Sequence, residues 1–269
     1  MSPSPPAPAV LLSALQQFEP QPDLLRGRVI AITGAGDGIG RALARACAAH
    51  GAEVILIGRT VKKLEAVHAD IAALRGGQAS IAPLDLEKAL ARDYDQLADA
   101  LKQRYGRLDG LVHNAGILGT LAPIEHYDVP TWCRVLHVNL TAAFALTQVL
   151  LPSLRASPDA SIVFTSSGQG RRADAFWGAY AVSKFGIEGL SQVLAEELES
   201  GGTVRVNTLN PGAAVRTRMR RQAFPAEDLS TLVAPEAVLT PYLWLLSAAS
   251  RGVSGQRLNC QAGQPVPPP

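Results

Sequence analysis

A tyrosine and a lysine lie four residues apart in the run from Tyr180 to Lys184. On a helix, residues at this spacing project from the same face, so the phenol and the ammonium would lie side by side. The positive charge would stabilise the phenolate and lower the pKa of Tyr180 from its ordinary value of about 10, which would let the phenol exchange a proton near neutral pH. The pair therefore predicts Tyr180 as a general acid and base, supported by Lys184.

A serine and an asparagine could complete this chemistry. Ser167 ends a predicted strand, and its hydroxyl could bond the substrate oxygen and stabilise charge that develops there. The neighbouring Ser166 is an alternative source of that hydroxyl. Asn139 could hold a water molecule that relays a proton from Lys184 to solvent, or its amide could bond the backbone at a helix bend. The predicted catalytic residues are Asn139, Ser167, Tyr180 and Lys184.

A glycine-rich loop follows a predicted strand and opens a predicted helix. Gly34 would permit a tight turn, Gly38 would let the backbone approach a pyrophosphate, and Gly40 would let the helix pack closely on the sheet. The free N–H groups at the start of the helix favour phosphates. An ordinary glycine-rich turn is the alternative. The loop predicts a dinucleotide site that includes Gly34, Asp37, Gly38, Ile39 and Gly40. With the tyrosine and lysine, it predicts a nicotinamide-dependent oxidoreductase.

The end of the second predicted strand bears on the choice of dinucleotide. An acid there would bind a ribose 2′-hydroxyl, whereas the chain has Arg59, which could clamp a 2′-phosphate. Lys62 or Lys63 could assist it. Asp37 in the glycine loop could repel that phosphate, or it could cap the helix that begins nearby. The sequence favours NADP over NAD, with a solvated surface charge as the alternative for Arg59.

Two further segments are predicted to contact the cofactor. Asp85 lies at the end of the third predicted strand and could bond the adenine amino group, or it could be an aspartate of a turn. Asn114, Ala115 and Gly116 follow the fourth strand, where a small, flat segment would let a cofactor lie across the edge of the sheet. Open α/β sheets bind ligands at these carboxyl ends of their strands.

The elements that must position these residues alternate along the chain. Helical patterns lie at 39–47, with a stop at Gly51, and at 61–74, and further helices separate the later strands. Strands that are apolar at successive positions are typical of a parallel sheet covered on both faces. The pattern predicts one doubly wound α/β domain with a seven-stranded parallel sheet, its strands at 29–32, 54–57, 81–86, 111–113, 161–165, 204–209 and 257–260.

Composition limits the other function classes. Hydrophobic residues make up 47% of the 269 residues, enough for a sizeable core, and the net charge of +2 gives no argument for nucleic acid. The cysteines, Cys47, Cys133 and Cys260, are odd in number and far apart, so neither a metal site nor a disulfide framework is expected. No run of eighteen apolar residues predicts a membrane span. We expect a cytoplasmic protein.

Domain boundaries follow from composition at the two ends. Residues 1–25 are predicted to be a flexible or loosely docked arm, because the segment begins with prolines and serines. Residues 264–269 are predicted to be a proline-rich tail. The single domain is expected to span residues 26–263.

The order of these motifs resembles the short-chain dehydrogenase/reductase family over about residues 26–263. The resemblance implies a Rossmann fold, catalysis by the Asn, Ser, Tyr and Lys named above, carbonyl or alcohol substrates, and a homodimer or homotetramer. It also implies cofactor contacts from the segment after the sixth strand, at Pro211, Gly212, Val215 and Thr217. More narrowly, stretches such as His113-Asn-Ala-Gly116 and Trp177-Gly-Ala-Tyr180 are similar to the YciK-type oxidoreductases.

Two departures from the family pattern matter. His113 replaces an asparagine that commonly ties the sheet together, and it is expected to be structural, with proton transfer as the alternative. Thr217 lies six residues beyond Pro211 where the family usually has a threonine five beyond. The loop has therefore gained a residue, which leaves open whether Val215 or Thr217 contacts the nicotinamide carboxamide.

The substrate side is predicted to be basic. The alternative is a solvated helix face. Phe176 and Trp177 could line an apolar wall, or they could pack in the core. The arginines that could form a basic mouth for a carboxylate or phosphate are Arg171, Arg172, Arg216, Arg218, Arg220 and Arg221.

Two rival functions are a non-catalytic NADP-binding sensor and an isomerase or dehydratase that cycles its bound cofactor.

Overall fold

The structure is a computed structural model that describes Leu15, residues 17–212 and residues 215–260. Its strands are β1 Val29–Thr33, β2 Glu53–Gly58, β3 Gln78–Pro83, β4 Gly110–His113, β5 Ala160–Thr165, β6 Val204–Asn210 and β7 Arg257–Asn259. Its α-helices are α1 Gly38–Ala49, α2 Val61–Ala72, α3 Ala91–Tyr105, α4 Val129–Leu136, α5 Ala142–Arg155, α6 Gly178–Leu198, α7 Arg218–Ala223 and α8 Thr240–Leu246. A π-helical turn, His137–Thr141, joins α4 to α5.

The strands form one sheet in the order β3-β2-β1-β4-β5-β6-β7, and every pair is parallel. This confirms the predicted seven-stranded, doubly wound sheet. One strand is misplaced at both ends: the third strand was expected at 81–86 and lies at Gln78–Pro83. The pairing explains the shift, because the six residues of β2 pair with β3 from Gln78 to Pro83.

Successive strand residues point to opposite faces of the sheet, and each face has its own core. Ile30 and Ile32 pack on one face with α1, α2 and α8. Ala31 packs on the other face with α3, α5 and α6. Both faces of the sheet are therefore covered by helices, which leaves the carboxyl ends of the strands as the place for a ligand.

The strand order reverses beside β1, whose neighbours are β2 on one side and β4 on the other. The chain leaves β1 towards α1 on one face of the sheet, and it leaves β4 towards the elements of the other face. The segments that follow these two strands therefore diverge and open a crevice between them. The glycine loop and the Asn-Ala-Gly segment lie there.

The described residues before β1 pack on the domain. Leu25 is completely buried, and Leu15 and Phe18 contact the same core. The His50 ring nitrogen Nδ1 lies 2.6 Å from the Gln21 carbonyl. The boundary predicted after residue 25 therefore falls inside the packed region. Residues 1–14 and the predicted tail at 264–269 lie outside the described residues.

Among the described residues, one helical stretch has the length and composition to cross a membrane. It is Val129–Arg155, and 44% of its most apolar window is buried inside the fold. Its residues Leu146, Leu150 and Leu154 are completely buried in the core on one face of the sheet. This is the burial expected of a core helix, so the length and composition of the stretch are weak evidence for a membrane span. The predicted lack of a membrane partner stays a prediction.

Candidate active site

The glycine loop makes the tight turn that the sequence predicts. Gly34 has φ 67°, a conformation that glycine adopts without strain. A Cβ on Gly40 would lie 2.3 Å from the Gly34 carbonyl oxygen, so no side chain fits there. Asp37 caps α1, and its Oδ1 accepts from the Gly38 N–H over 2.9 Å. The start of α1 is therefore pressed against the turn, with its first N–H groups directed at the crevice.

A threonine hydroxyl joins the loops after β1 and β4. Thr33 Oγ1 accepts from the N–H groups of Asn114 and Ala115, each over 3.0 Å. The Asn114 side chain donates in return to the Thr33 carbonyl over 3.1 Å. Sequence reasoning missed this role of Thr33; its place just before the first glycine is the only signal for it. The Asn-Ala-Gly segment, which ends at Gly116, is thereby fixed beside the glycine turn.

The proposed 2′-phosphate side of the site contains three cations. Lys63 pairs with Asp37 over 2.5 Å, and this bond is the main cause of the lowered pKa of Asp37. Arg218 also acts electrostatically on Asp37 from the segment after β6. Arg59 is half exposed at the tip of β2 and lies 3.4 Å from Glu87. The negative charge of Asp37 is therefore offset by Lys63, and Asp37 caps the helix as well.

Asp85 lies two residues beyond the end of β3 rather than at its tip. Its Oδ1 accepts from the Glu87 N–H over 3.1 Å, which is the bond of an aspartate turn. The turn alternative is therefore realised. One carboxylate oxygen can stabilise the turn while the other contacts a ligand, so the adenine contact stays a prediction.

Tyr180 and Lys184 both lie on α6 and are both buried. Lys184 Nζ donates to the Thr165 carbonyl over 2.7 Å and lies 5.8 Å from the centre of the Tyr180 ring. Lys184 also lines a small cavity together with Thr33 and Ala115. The tyrosine and lysine are thus side by side, at the crevice where the glycine loop lies.

The pKa of Tyr180 differs from the sequence-based expectation. Burial raises this pKa above its ordinary value, and a hydrogen bond with Ser167 opposes the rise. Burial also lowers the pKa of Lys184 to about 8, against the opposing charge of Glu188. The predicted lowering of the tyrosine pKa was therefore wrong for the cofactor-free protein, because desolvation of the buried phenol is the largest influence on this pKa.

The two serines at the end of β5 have different partners. Ser166 Oγ donates to Glu188 over 2.5 Å and is buried. Ser167 hydrogen-bonds the Tyr180 phenol, and its Oγ also accepts from the Gln169 N–H over 3.2 Å. Of the two hydroxyls, only that of Ser167 lies beside the phenol, as the sequence expectation required.

Asn139 uses its amide on the backbone. It lies in the π-helical turn, accepts from the Ile117 N–H over 2.8 Å, and donates to the Ile117 carbonyl over 2.9 Å. Its second amide hydrogen goes to Ser183 Oγ over 3.0 Å. The amide therefore holds the segment after Gly116 in place, as one of the two sequence alternatives proposed. A cavity of about 10 Å³, bordered by Asn139 and Lys184, has room for about one water molecule.

His113 has the structural role expected for it. Its ring stacks on Phe164 at 4.8 Å, and its Nε2 lies 2.8 Å from Thr147 Oγ1. The Thr147 hydroxyl donates its own hydrogen to the Ala143 carbonyl over 2.8 Å, so Nε2 must be the donor to it. Burial lowers the pKa of His113 to about 3, so the ring is neutral near neutral pH.

The segment after β6 reaches the glycine loop. The methyl carbon of Thr217 lies 3.4 Å from where a Cβ on Gly38 would be, and its hydroxyl caps α7 by accepting from the Arg220 N–H over 3.1 Å. Val215 is buried and bridges to Val233. Pro211 and Gly212 follow β6, and residues 213 and 214 lie outside the described residues. Thr217, rather than Val215, is the residue in contact with the loop.

The predicted basic mouth is only partly present. Arg171 is buried in an ion pair with Glu188 over 3.1 Å, so its inclusion in the basic mouth was wrong. The carboxylate that attracts it belongs to α6 and follows it by 17 residues. Arg220 pairs with Glu227 over 2.6 Å and stacks on Phe224. Four arginines remain exposed: Arg172, Arg216, Arg218 and Arg221.

Aromatic side chains line the approach to Tyr180. The Trp177 ring lies 5.7 Å from the Tyr180 ring and 6.0 Å from the Phe224 ring. Phe176 is 58% exposed, so it is not a core residue. The apolar wall expected at Phe176 and Trp177 is therefore carried by Trp177, joined by Phe224 from α7's end.

Comparison with known proteins identifies the family of the chain. The sequence model of the short chain dehydrogenase family matches residues 28–228. The chain is 45% identical to the uncharacterized oxidoreductase YciK of Escherichia coli K12 over 92% of this chain and 97% of that one.

Two solved structures are similar as well. A short chain dehydrogenase from Pseudomonas syringae superposes with a TM-score of 0.89 at 50% identity, covering 91% of this chain and 99% of the other. One from Escherichia coli CFT073, in complex with NADPH, gives 0.85 at 46% identity, covering 90% and 100%. The fold, the order of the motifs and the matched length agree, and the chain belongs to the short chain dehydrogenase family.

Proposed function

We propose that this protein is an NADP(H)-dependent oxidoreductase that interconverts a carbonyl compound, ketone or aldehyde, and an alcohol. The observation that carries the proposal is the placement of Tyr180 and Lys184 side by side at the crevice between β1 and β4, with Ser167 near enough to the phenol to affect its pKa. When bound, the nicotinamide supplies or accepts the hydride. The chain must supply or accept the proton.

In the direction of reduction, Tyr180 donates its phenolic proton to the carbonyl oxygen. Burial keeps this phenol protonated at neutral pH, which is the form that reduction needs. Ser167 donates to the same oxygen and stabilises its developing negative charge. The aromatic wall of Trp177 and Phe224 holds the apolar part of the substrate beside Tyr180.

Lys184 replaces the proton that Tyr180 gives away. One of its three N–H donors is occupied by the Thr165 carbonyl, which leaves two for the nicotinamide ribose and a relay. The cavity beside Lys184 and Asn139 suits one water molecule, which would bring a proton from solvent to Lys184 during reduction. Because the Asn139 amide is already fully donated to protein groups, its part in this relay is to shape the cavity.

The residues present fit an NADP molecule. The N–H groups at the start of α1, which the close approach of Gly40 holds against the Gly34 turn, suit a pyrophosphate. Arg59, with Lys63 and Arg218 nearby, suits a 2′-phosphate, and a relative of 46% identity was crystallised with NADPH. Further contacts are proposed for Asp37, Ile39, Asp85, Asn114, Ala115, Gly116, Pro211, Gly212, Val215 and Thr217. We propose NADP rather than NAD on this basis.

An assembly is proposed from exposed apolar side chains on two adjacent helices. Phe144 on α5 is 48% exposed, and Val182, Phe185 and Val193 on α6 are 45–55% exposed. Large apolar surface of this kind is commonly covered by another subunit. We propose a homodimer or homotetramer that buries it, which light scattering on the purified protein tests. A cytoplasmic location stays a prediction.

The test of the function is consumption of NADPH by the purified protein with a panel of ketones and aldehydes. A reductase oxidises NADPH and forms the alcohol in equal amounts. A non-catalytic sensor binds NADPH without oxidising it, and a cycling isomerase converts substrate without net change in NADPH. Either of these outcomes would refute the proposal.

A further inference from the structure

A buried carboxylate lies one helical turn beyond Lys184. Glu188 follows Lys184 by four residues on α6, so the two side chains share one face of that helix. The Glu188 side chain is only 4% exposed. A carboxylate at this depth is costly unless it is paired and hydrogen-bonded. The proposed chemistry has no use for it in contact with the substrate.

Four donors from different parts of the chain satisfy the carboxylate. Ser166 donates to one oxygen over 2.5 Å, and Thr208 donates to the other over 2.8 Å. Arg171 donates through Nε to the first oxygen and Arg257 through Nε to the second, each over 3.1 Å. Glu188 thus binds residues from the end of β5, the loop after it, β6 and β7, and its position is fixed.

The charges around Lys184 are unevenly distributed. Its ammonium donates to a neutral carbonyl, that of Thr165. Burial keeps Tyr180, Tyr242 and His113 neutral near pH 7. The titratable or charged groups on the elements around it are Tyr180, Glu188, His113, Arg171, Tyr242 and Arg257. Within this group, Glu188 supplies the negative charge, and both guanidinium groups donate to it.

We propose that Glu188 is a positioning residue that keeps Lys184 in its ammonium form, and that Arg257 moderates this effect by pairing with Glu188. The consequence for catalysis rests on the proposed function, because only a charged Lys184 can supply the relay. The charge coupling itself belongs to the folded chain without cofactor. The direction agrees with the pKa of Lys184, which burial lowers to about 8 while Glu188 raises it.

The test is a direct titration of Lys184 in the cofactor-free protein. Its side-chain Cε resonance is followed by NMR in protein labelled at lysine with carbon-13, and it is assigned with Lys184→Arg. Glu188→Gln removes the negative charge at constant shape, so the midpoint of Lys184 falls by on the order of one pH unit. Arg257→Gln removes a cation that is 24% exposed and leaves Glu188 less neutralised, so the midpoint rises.

The Lys184 midpoint is expected to fall in one variant and to rise in the other. These opposite directions distinguish an electrostatic role of Glu188 from a merely structural one. Glu188→Gln breaks the two bonds that one carboxylate oxygen accepts, and Arg257→Gln breaks one bond to the same network. Looser packing alone would therefore move the two midpoints in the same direction or not at all. Either result would overturn the inference. If Glu188→Gln does not fold, the Lys184 midpoint in Arg257→Gln tests the inference by itself, because this variant retains Glu188 and the buried Arg171.

The activity assay stays separate from the titration. A wild-type protein that never oxidises NADPH contradicts the proposed function and leaves the titration result valid. In an active enzyme, the pH at which the rate of reduction falls on the alkaline side is lower in Glu188→Gln and higher in Arg257→Gln than in the wild type. Unchanged midpoints in both variants of an active enzyme contradict only the role of Glu188.

Discussion

The Lys184 ammonium nitrogen lies 5.8 Å from the centre of the Tyr180 ring. The two side chains are neighbours on α6, yet the ammonium donates a hydrogen bond to the Thr165 carbonyl over 2.7 Å. The Thr165 carbonyl at the end of β5 therefore holds the ammonium beside the phenol. Burial lowers the pKa of this ammonium to about 8. The resulting phenol is protonated before the reaction, which suits a proton donor better than a preformed base.

The tight fit at Gly40 predicts a strong effect of one added methyl group. In Gly40→Ala, the new carbon would lie 2.3 Å from the Gly34 carbonyl oxygen, so the turn must shift. We expect a loss of ~1–3 kcal/mol in the free energy of unfolding and a large rise in the Kd for NADPH. Urea denaturation and fluorescence titration measure the two effects.

Gly189→Ala is the matched control for that substitution. Gly189 lies within α6 and a Cβ there meets open space. The better helix propensity of alanine should stabilise the protein by roughly 0.5–1 kcal/mol, with no change in NADPH affinity. Equal stability and affinity in Gly40→Ala and Gly189→Ala would contradict the close approach of α1 to the turn.

The charge at the tip of β2 predicts the choice of cofactor. Arg59→Asp replaces the proposed 2′-phosphate clamp by an acid beside Glu87, so NADPH should bind at least tenfold more weakly while NADH binds as well or better. Arg92→Asp, an exposed arginine near the start of α3, is the control for the change in charge. An unchanged ratio of the two Kd values in Arg59→Asp would remove Arg59 from the site.

The buried histidine predicts how stability varies with pH. The pKa of His113 is lowered to about 3 in the folded chain, from 6.5 when unperturbed. The unfolded chain therefore binds more protons between these values, so the contribution of His113 to stability is present above about pH 6.5 and is lost as the pH falls.

The Tm of the wild type and of His113→Asn, measured from pH 7 to pH 4, checks this effect. The wild type should lose more of its Tm over this range than the variant does. Parallel curves would mean that His113 already carries a proton in the folded protein, which its bond to Thr147 and its stacking on Phe164 argue against.

The pattern of apolar residues predicts the fold well, because the central strands are buried on both faces. It misplaces β3, an edge strand whose Gln78 and Ser80 are polar, so the apolar run from Ile81 is a poor guide to its start. Its bounds follow instead from pairing with β2, which only the folded chain reveals.

Motif spacing likewise predicts which side chains meet, but it does not predict their electrostatics. The neighbourhood of Tyr180 and Lys184 follows from a four-residue spacing. The raised pKa of Tyr180 depends on burial beneath several elements, which spacing does not encode. Arg171 looks like a surface charge until the buried Glu188 is known. Glu188 itself had a signal, since it lies four residues after Lys184.

The central claim is that Tyr180 gives the proton during reduction. The most direct measurement compares the kcat for NADPH-dependent reduction of a ketone, and the Kd for NADPH, between the wild type and Tyr180→Phe. Tyr105→Phe, which removes a hydroxyl bonded to Ser80 of the edge strand β3, is the control. We predict a fall in kcat of at least about 10²-fold in Tyr180→Phe with the Kd nearly unchanged, and little change in the control. A Tyr180→Phe variant that retains wild-type turnover would contradict the account.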